Sequence, residues 1–270
     1  MRKLASAFGL KAWLPAAAAI VAGAAAAPAM AQSASFFDDF TSLNQSRWYL
    51  SDGYSNGTQQ NCDWSSKMIT VSGGILNLQF AKIAGKDRPY LCSEMQTRTA
   101  YSYGTYEARI KAPASLNGLD AAFFTYIGPT QGKQHDETDF EFLKDLTKVH
   151  TTTFVNGKSG TGVPGGGNGQ YNPLPYPANQ DFIDYAVVWT PTRMDFYANK
   201  QLLRSITEVT QIPVTPQRIF FNLWGSNTLV DFMGAFVDPG QTLNMQVDWL
   251  GYTAPGDTCK FPQSITCAQQ

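Results

Sequence analysis

Gln134-His135-Asp136-Glu137-Thr138-Asp139-Phe140-Glu141-Phe142-Leu143 is the stretch whose reading decides the fold. As a β-strand, its side chains alternate between two faces. His135, Glu137, Asp139, Glu141 and Leu143 fall on one face; Asp136, Thr138, Phe140 and Phe142 fall on the other. Three carboxylates therefore stand in a row with aromatics behind them. Like charges side by side in a sheet cost stability, so a strand that serves structure alone has no reason to carry them. The acidic face is a candidate catalytic floor, and the rest of the chain reads as the frame that shapes it.

Working outward, the same period of two recurs from Phe36 onward, with turn residues between runs. Runs at 69–71, 75–81, 90–98, 103–112, 121–127, 138–143 and 148–155 read as strands. So do 182–189, 194–198, 201–205, 218–223 and 245–252, with Asn199-Lys200 as a tight hairpin turn between two of them. No long window repeats apolar positions at helical spacing, so helices should be short or absent. The expected fold is all-β, two packed antiparallel sheets in one domain. Residues 158–180, rich in glycine and then proline with Tyr171 and Tyr176, break the rhythm. They are long enough either to rim the cleft or to be a disordered surface loop.

The chain opens with Arg2, Lys3 and Lys11, an Ala-rich apolar run over 13–27, and the small-x-small triplet Ala29-Met30-Ala31. That is the pattern of a cleaved secretory signal over residues 1–31; a membrane anchor would need about 18–20 apolar residues. The mature domain is then 32–270, secreted or periplasmic and free of the membrane. The segment holds three basic and no acidic residues, so its loss takes the net charge from −1 to −4. A mildly acidic chain without Lys/Arg clusters suits neither nucleic acid nor anionic lipid. Aromatics at 13% and charged residues at 15% suit a sandwich core and a surface that meets sugar rings. Four cysteines in an exported chain imply disulfides. Cys259 and Cys267 enclose a short loop and pair, which leaves Cys62 with Cys92; zinc is disfavoured because no CxxC or close His pair exists.

Retaining glycosidic hydrolysis needs two carboxyl groups about 5–5.5 Å apart, one as nucleophile and one as acid/base. Glu137 and Glu141 lie four residues apart, about 13 Å between Cα atoms on a flat strand. Side chains leaning together over a concave sheet can close most of that gap, so the spacing permits retention without proving it. Asp139 between them would tune both, because close carboxylates cannot all ionise freely. A calcium site is the rival reading of three acids, but calcium prefers acids grouped with Asn, Gly and carbonyls in a loop. A merely solvated face would mix in Lys, Thr and Ser.

The run HDETDFEFL resembles the E-x-D-x-E active-site strand of glycoside hydrolase family 16, whose members are β-jelly-roll endo-glycanases and transglycosylases. Asp52-Gly-Tyr-Ser-Asn-Gly57, Asn61-Cys62-Asp63-Trp64, Cys92-Ser93-Glu94 and Tyr103-Gly-Thr-Tyr-Glu107 are similar to stretches of its bacterial lichenases, in the same order. Phe123-Phe-Thr-Tyr-Ile-Gly-Pro129, Asn222-Leu-Trp224 and Asp248-Trp249 continue the likeness. The resemblance implies Glu137 as nucleophile, Glu141 as general acid/base and Asp139 as the assisting carboxylate. It places Tyr54, Asn56, Glu94, Phe124, Tyr126, Asn222 and Trp224 at sugar subsites, and it supports the Cys62–Cys92 pairing. It implies no catalytic cofactor. A structural calcium is implied on the side away from catalysis, held by the Asp248 side chain and by backbone near Asp39 and Gly74.

Departures from the lichenase pattern fall on the subsites, not on the acids. Gln96 stands where lichenases carry a substrate-contacting Arg, and His135 replaces a Trp. Thr152, Phe154 and Phe232 replace an Asn, a Tyr and a Trp. The regular E-x-D-x-E spacing leans away from the bulged laminarinase form. The expected activity is a monomeric endo-β-glucanase on mixed β-1,3-1,4-glucan. Alternatives are another β-glycan such as succinoglycan or xyloglucan, transfer to a sugar acceptor, or a non-catalytic glycan-binding protein on the same sandwich.

Overall fold

The computed structural model describes residues 34–159 and 167–267. The expected signal segment 1–31 lies outside the described residues, as does 160–166 of the glycine-rich stretch. Sixteen strands follow one another: β1 (Phe36–Asp38), β2 (Trp48–Leu50), β3 (Cys62–Trp64), β4 (Ile69–Ser72), β5 (Ile75–Phe80), β6 (Tyr90–Thr97), β7 (Gly104–Lys111) and β8 (Leu119–Ile127). Then come β9 (Asp136–Phe142), β10 (Lys148–Phe154), β11 (Gln170–Pro173), β12 (Ile183–Thr190), β13 (Arg193–Ala198), β14 (Gln201–Ile206), β15 (Arg218–Gly225) and β16 (Leu243–Thr253). The one described α-helix is the single turn α1 (Val230–Met233). No described helix is long and apolar enough to cross a membrane.

The strands form two eight-stranded sheets, one ordered β14-β13-β12-β7-β16-β5-β4 with β1 beside β16, the other β11-β10-β9-β8-β15-β6-β2 with β3 beside β6. Every pairing is antiparallel except β3 with β6. The opening strand is β9, central in the second sheet, and its alternation is as read. Phe140 and Phe142 are buried on the inner face. Phe140 packs on Phe123 of its own sheet and on Tyr185 and Phe196 of the opposite one. Each such buried Phe contributes about 1.5–3 kcal/mol relative to exposure, and the same packing aims Glu137, Asp139 and Glu141 outward.

Asp136 is a departure from the simple inner-face reading, since a buried carboxylate there needs partners. It accepts from Gln134 Nε2 at 2.8 Å, the Asn156 amide at 3.0 Å and the Thr215 amide at 3.1 Å. Burial pushes its pKa up, but these bonds outweigh burial and hold it below the usual carboxylate value. The residue ties the start of β9 to two loops and so fixes the strand's entry.

Strand limits match the sequence reading to within a few residues, and Asn199 and Lys200 turn with φ of 46° and 64°, as a two-residue hairpin requires. The short strands β1, β2, β3 and β11 are additions, too brief for a period to register. β11 lies within the 158–180 stretch and pairs with β10, so Gln170–Pro173 extends the acidic sheet. Cys62–Cys92 and Cys259–Cys267 are both disulfides. The first joins β3 to β6 beside the site. Gly118 precedes β8 with φ +69°, and a Cβ there would lie 2.3 Å from the Phe236 backbone; only glycine fits.

Candidate active site

Across the second sheet the outward residues form rows perpendicular to the strands. Glu137 on β9 lies opposite Tyr126 on β8 and Phe154 on β10; Asp139 opposite Phe124 and Thr152; Glu141 opposite Ala122 and His150. β15 adds Arg218, Phe220, Asn222 and Trp224 beside Tyr126, Phe124, Ala122 and Asp120. β6 adds Glu94 opposite Asn222 and Gln96 opposite Phe220. The result is a groove of about 1200 Å³. All nine residues expected at subsites (Tyr54, Asn56, Glu94, Gln96, Phe124, Tyr126, His135, Asn222 and Trp224) line it together with Glu137. Phe124 and Trp224, which composition alone could have placed in the core, are half-buried groove residues.

The acids sit in unequal surroundings. Glu137 Oε2 is 2.6 Å from His135 Nε2, and Glu141 Oε2 is 2.8 Å from His150 Nδ1. The chain has two histidines, and each meets one of the two glutamates. Burial raises the Glu137 pKa, while the His135 bond pulls it back and the Glu141 charge adds to the rise. His135 is raised in turn, first by that bond, against a smaller opposing effect of burial. Asp139 is buried, and its Oδ2 has no hydrogen-bond partner among the described residues. Burial, then the charges of Glu137 and Glu141, push it well above the carboxylate range, which favours its protonated form.

Two participants escaped the sequence reading. Asp120 at the start of β8 is buried and pushed well above the carboxylate range by burial and by the Glu141 charge, although it accepts from the Trp224 side chain. The site is thus a cluster of four carboxyls. The strand had been read as starting at residue 121, yet Asp120 shares parity with Phe124 and Tyr126, so one more residue of strand would have exposed it. His150 likewise shares parity with Thr152 and Phe154. Its Nδ1 lies 3.2 Å from Thr152 Oγ1 as well, and Tyr171 and Phe232 pack on its ring at 4.8 and 5.4 Å.

Glu94 anchors a network on the other flank. Tyr54 donates to Ser51 at 2.9 Å, and Ser51 donates to Glu94 Oε1 at 2.6 Å. Trp64 Nε1 donates to Asn56 Oδ1 at 3.2 Å. Burial pushes Glu94 up to about 7, against the Ser51 and Asn56 hydrogen bonds. Gln96 Oε1 accepts from Arg218 at 2.9 Å.

This chain is matched over residues 56–251 by the model for glycosyl hydrolases family 16. It belongs to that family. It is 47% identical over 234 residues to the endo-1,3-1,4-beta-glycanase ExoK of Rhizobium meliloti, covering 86% of this chain and 84% of that one. The beta-glucanase of Bacillus amyloliquefaciens is 35% identical over 221 residues, 81% of this chain and 87% of that one. The solved beta-glucanase of Bacillus licheniformis superposes with a TM-score of 0.74 at 32% identity, covering 82% of this chain and 98% of that one. The family 16 chain is therefore a glycoside hydrolase on a jelly-roll of two antiparallel sheets.

The residues implied for calcium lie away from the groove and do not fit that ion as arranged. A Cβ on Gly74 would lie 4.0 Å from the Asp39 carbonyl oxygen, so the backbone donors are near each other. The Asp248 carboxylate, however, is 3.2 Å from Arg109 Nε, and the Asp39 carboxylate folds back onto the Thr41 amide at 3.1 Å. Calcium takes six to eight oxygens, and here the one carboxylate intended for it already faces a guanidinium.

Proposed function

We propose that this family 16 hydrolase is an exported endo-β-glucanase that cleaves internal linkages of mixed β-1,3-1,4-glucan with retention. The observation that carries this reading is the pair Glu137 and Glu141 on one face of β9, each against its own histidine, with buried Asp139 between them. Like charges kept from accumulating leave one glutamate free to be anionic while the other carries a proton. The substrate class follows that of the related glucanases named above, and the two disulfides suit an oxidising compartment.

In the proposed mechanism, the Glu137 carboxylate attacks the anomeric carbon, and Glu141 gives its proton to the departing glycosidic oxygen. Charged His135 stabilises Glu137 as an anion. Asp139, neutral and adjacent, adds no charge to repel it. The covalent glycosyl ester then yields to water, whose proton returns to Glu141 as base. His150 Nδ1, 2.8 Å from Glu141 Oε2, holds that carboxyl in place through both steps. The amides of Asn56 and Asn222 and the faces of Phe124 and Trp224 suit sugar hydroxyls and rings.

Replacing Glu137 by Gln tests the reading. Release of reducing ends from lichenan should fall below about one part in a thousand of the parent rate, with an unchanged circular-dichroism melt. Parent-like turnover by that variant would overturn the assignment. Proton NMR of the first products should show the β-anomer ahead of mutarotation. Inclusion of an acceptor oligosaccharide in the same reaction separates hydrolysis from transfer.

A further inference from the structure

We propose that Tyr171 on β11 is the platform for the sugar that departs when the glycosidic bond breaks, and so sets specificity on the leaving side of the cleft. The inference rests on the hydrolase reading above and deepens it. The strand register makes a single row across the sheet: Tyr171 opposite His150, His150 opposite Glu141, Glu141 opposite Ala122, then Asn222 and Glu94. Residues directly opposite one another in a sheet share a face. Tyr171 therefore stands on the cleft face, its backbone two strands, about 10 Å, from that of Glu141. Its ring centre lies 4.8 Å from that of His150, and the residue is 50% exposed. Tyr176, the other tyrosine of the same stretch, serves the fold instead: it packs against the core and donates to the Phe182 carbonyl at 2.7 Å.

Glu141 divides this row. On one side Asn222 and Glu94 line the groove together with Glu137; on the other stand His150 and Tyr171. The nucleophile bonds to the anomeric carbon of the sugar it retains, so the groove beside Glu137 holds the retained part of the glycan. The acid gives its proton to the departing oxygen, so the departing part runs from Glu141 the other way, over β10 and β11. The imidazole there is already engaged, by Glu141 at 2.8 Å and by the Phe232 ring edge-on at 5.4 Å. Tyr171 is the member of the row that still offers an open face. A sugar ring is apolar on its faces and suits an aromatic one. The platform is also held at a fixed place relative to the acid. A Cβ on Gly169 would lie 2.5 Å from His150 Nε2, so the chain enters β11 tight against the imidazole that grips Glu141.

The test sets two substrates side by side that differ in what departs. A mixed-linkage glucan hexasaccharide releases a sugar; the β-fluoride of a mixed-linkage trisaccharide releases fluoride ion and lays nothing on β11. Tyr171→Ala should lower kcat/KM about tenfold on the hexasaccharide, as loss of one stacked ring implies, and less than about twofold on the fluoride. Tyr171→Phe keeps the face and should stay within about twofold of the parent on both. The pH limbs of kcat/KM should hold their places in both variants, and their circular-dichroism melts should match the parent. Equal losses on the two substrates, or a displaced limb, would make Tyr171 a prop for His150 and overturn the platform. Parent-like cleavage of the hexasaccharide by Tyr171→Ala would overturn it as well. If the parent turns over neither substrate, the hydrolase reading itself fails and the platform falls with it.

Discussion

Replacing His135 by Gln should move the acid side of the activity profile to higher pH. The imidazole and the Glu137 carboxylate are 2.6 Å apart, with side chains 33% and 20% exposed. Below its raised pKa His135 is a cation, and a hydrogen bond to a charged group contributes about 1.5–3 kcal/mol. Partial exposure screens that to about 1 kcal/mol. Loss of the cation therefore raises the Glu137 pKa, and about 1 kcal/mol is about fivefold in the protonation equilibrium. The sign follows from the charge: without its positive partner the carboxylate is less stable as an anion and holds its proton to higher pH. Initial rates on lichenan at limiting substrate, from pH 4 to 9, report the limb as kcat/KM. The variant should lose about fivefold well below the limb, as about 1 kcal/mol implies, and far less on the plateau. Phe154 stacks on the His135 ring at 5.3 Å, so some uniform loss through packing is expected. A limb that stays in place, or moves to lower pH, would refute the reasoning and leave His135 as a packing residue.

Three other outcomes follow from the same geometry. Glu94 has a folded pKa of about 7 against an ordinary value near 4.3. The neutral acid therefore favours the fold fully below the ordinary value, and that advantage is lost as pH rises toward 7, by about 3 kcal/mol in all. Urea denaturation should accordingly show Glu94→Gln gaining on the parent between pH 4.5 and 8; an unchanged difference would mean the carboxyl is ionised throughout. Asp120→Asn keeps a neutral group of the same shape, so kcat should stay within about threefold, while Asp120→Ala deprives Trp224 of its acceptor and should cost about 1–3 kcal/mol in urea denaturation. A folded but inactive Asn variant would show that Asp120 works as an acid or an anion. Removing Cys62–Cys92 by paired Ser substitutions opens a loop with a sequence separation of 30 and should cost about 3–4 kcal/mol on the loop-entropy account, read by calorimetry without reductant so that Cys259–Cys267 stays closed.

Local chemistry was enough to identify β9, its acidic face and the antiparallel sandwich, because strand alternation has a period of two and is written in neighbouring residues. The Asn199-Lys200 turn and the pairing of Cys259 with Cys267 were legible for the same reason. What the sequence left out lies across strands. Asp120 reaches Glu141, and His150 reaches it from the other side, only because β8, β9 and β10 stand side by side. Asp136 falls on the inner face by alternation, and only the loops at 156 and 215 supply the amides that satisfy it. The ionisation of the acids belongs to the tertiary structure as well, since burial and neighbouring charge set it and neither has a sequence period. Asp248 shows the opposite case: the motif implies a ligand for calcium, but the sheet brings Arg109 to its carboxylate. The row of three acids was a property of the sequence; which of them can hold a charge was decided by packing.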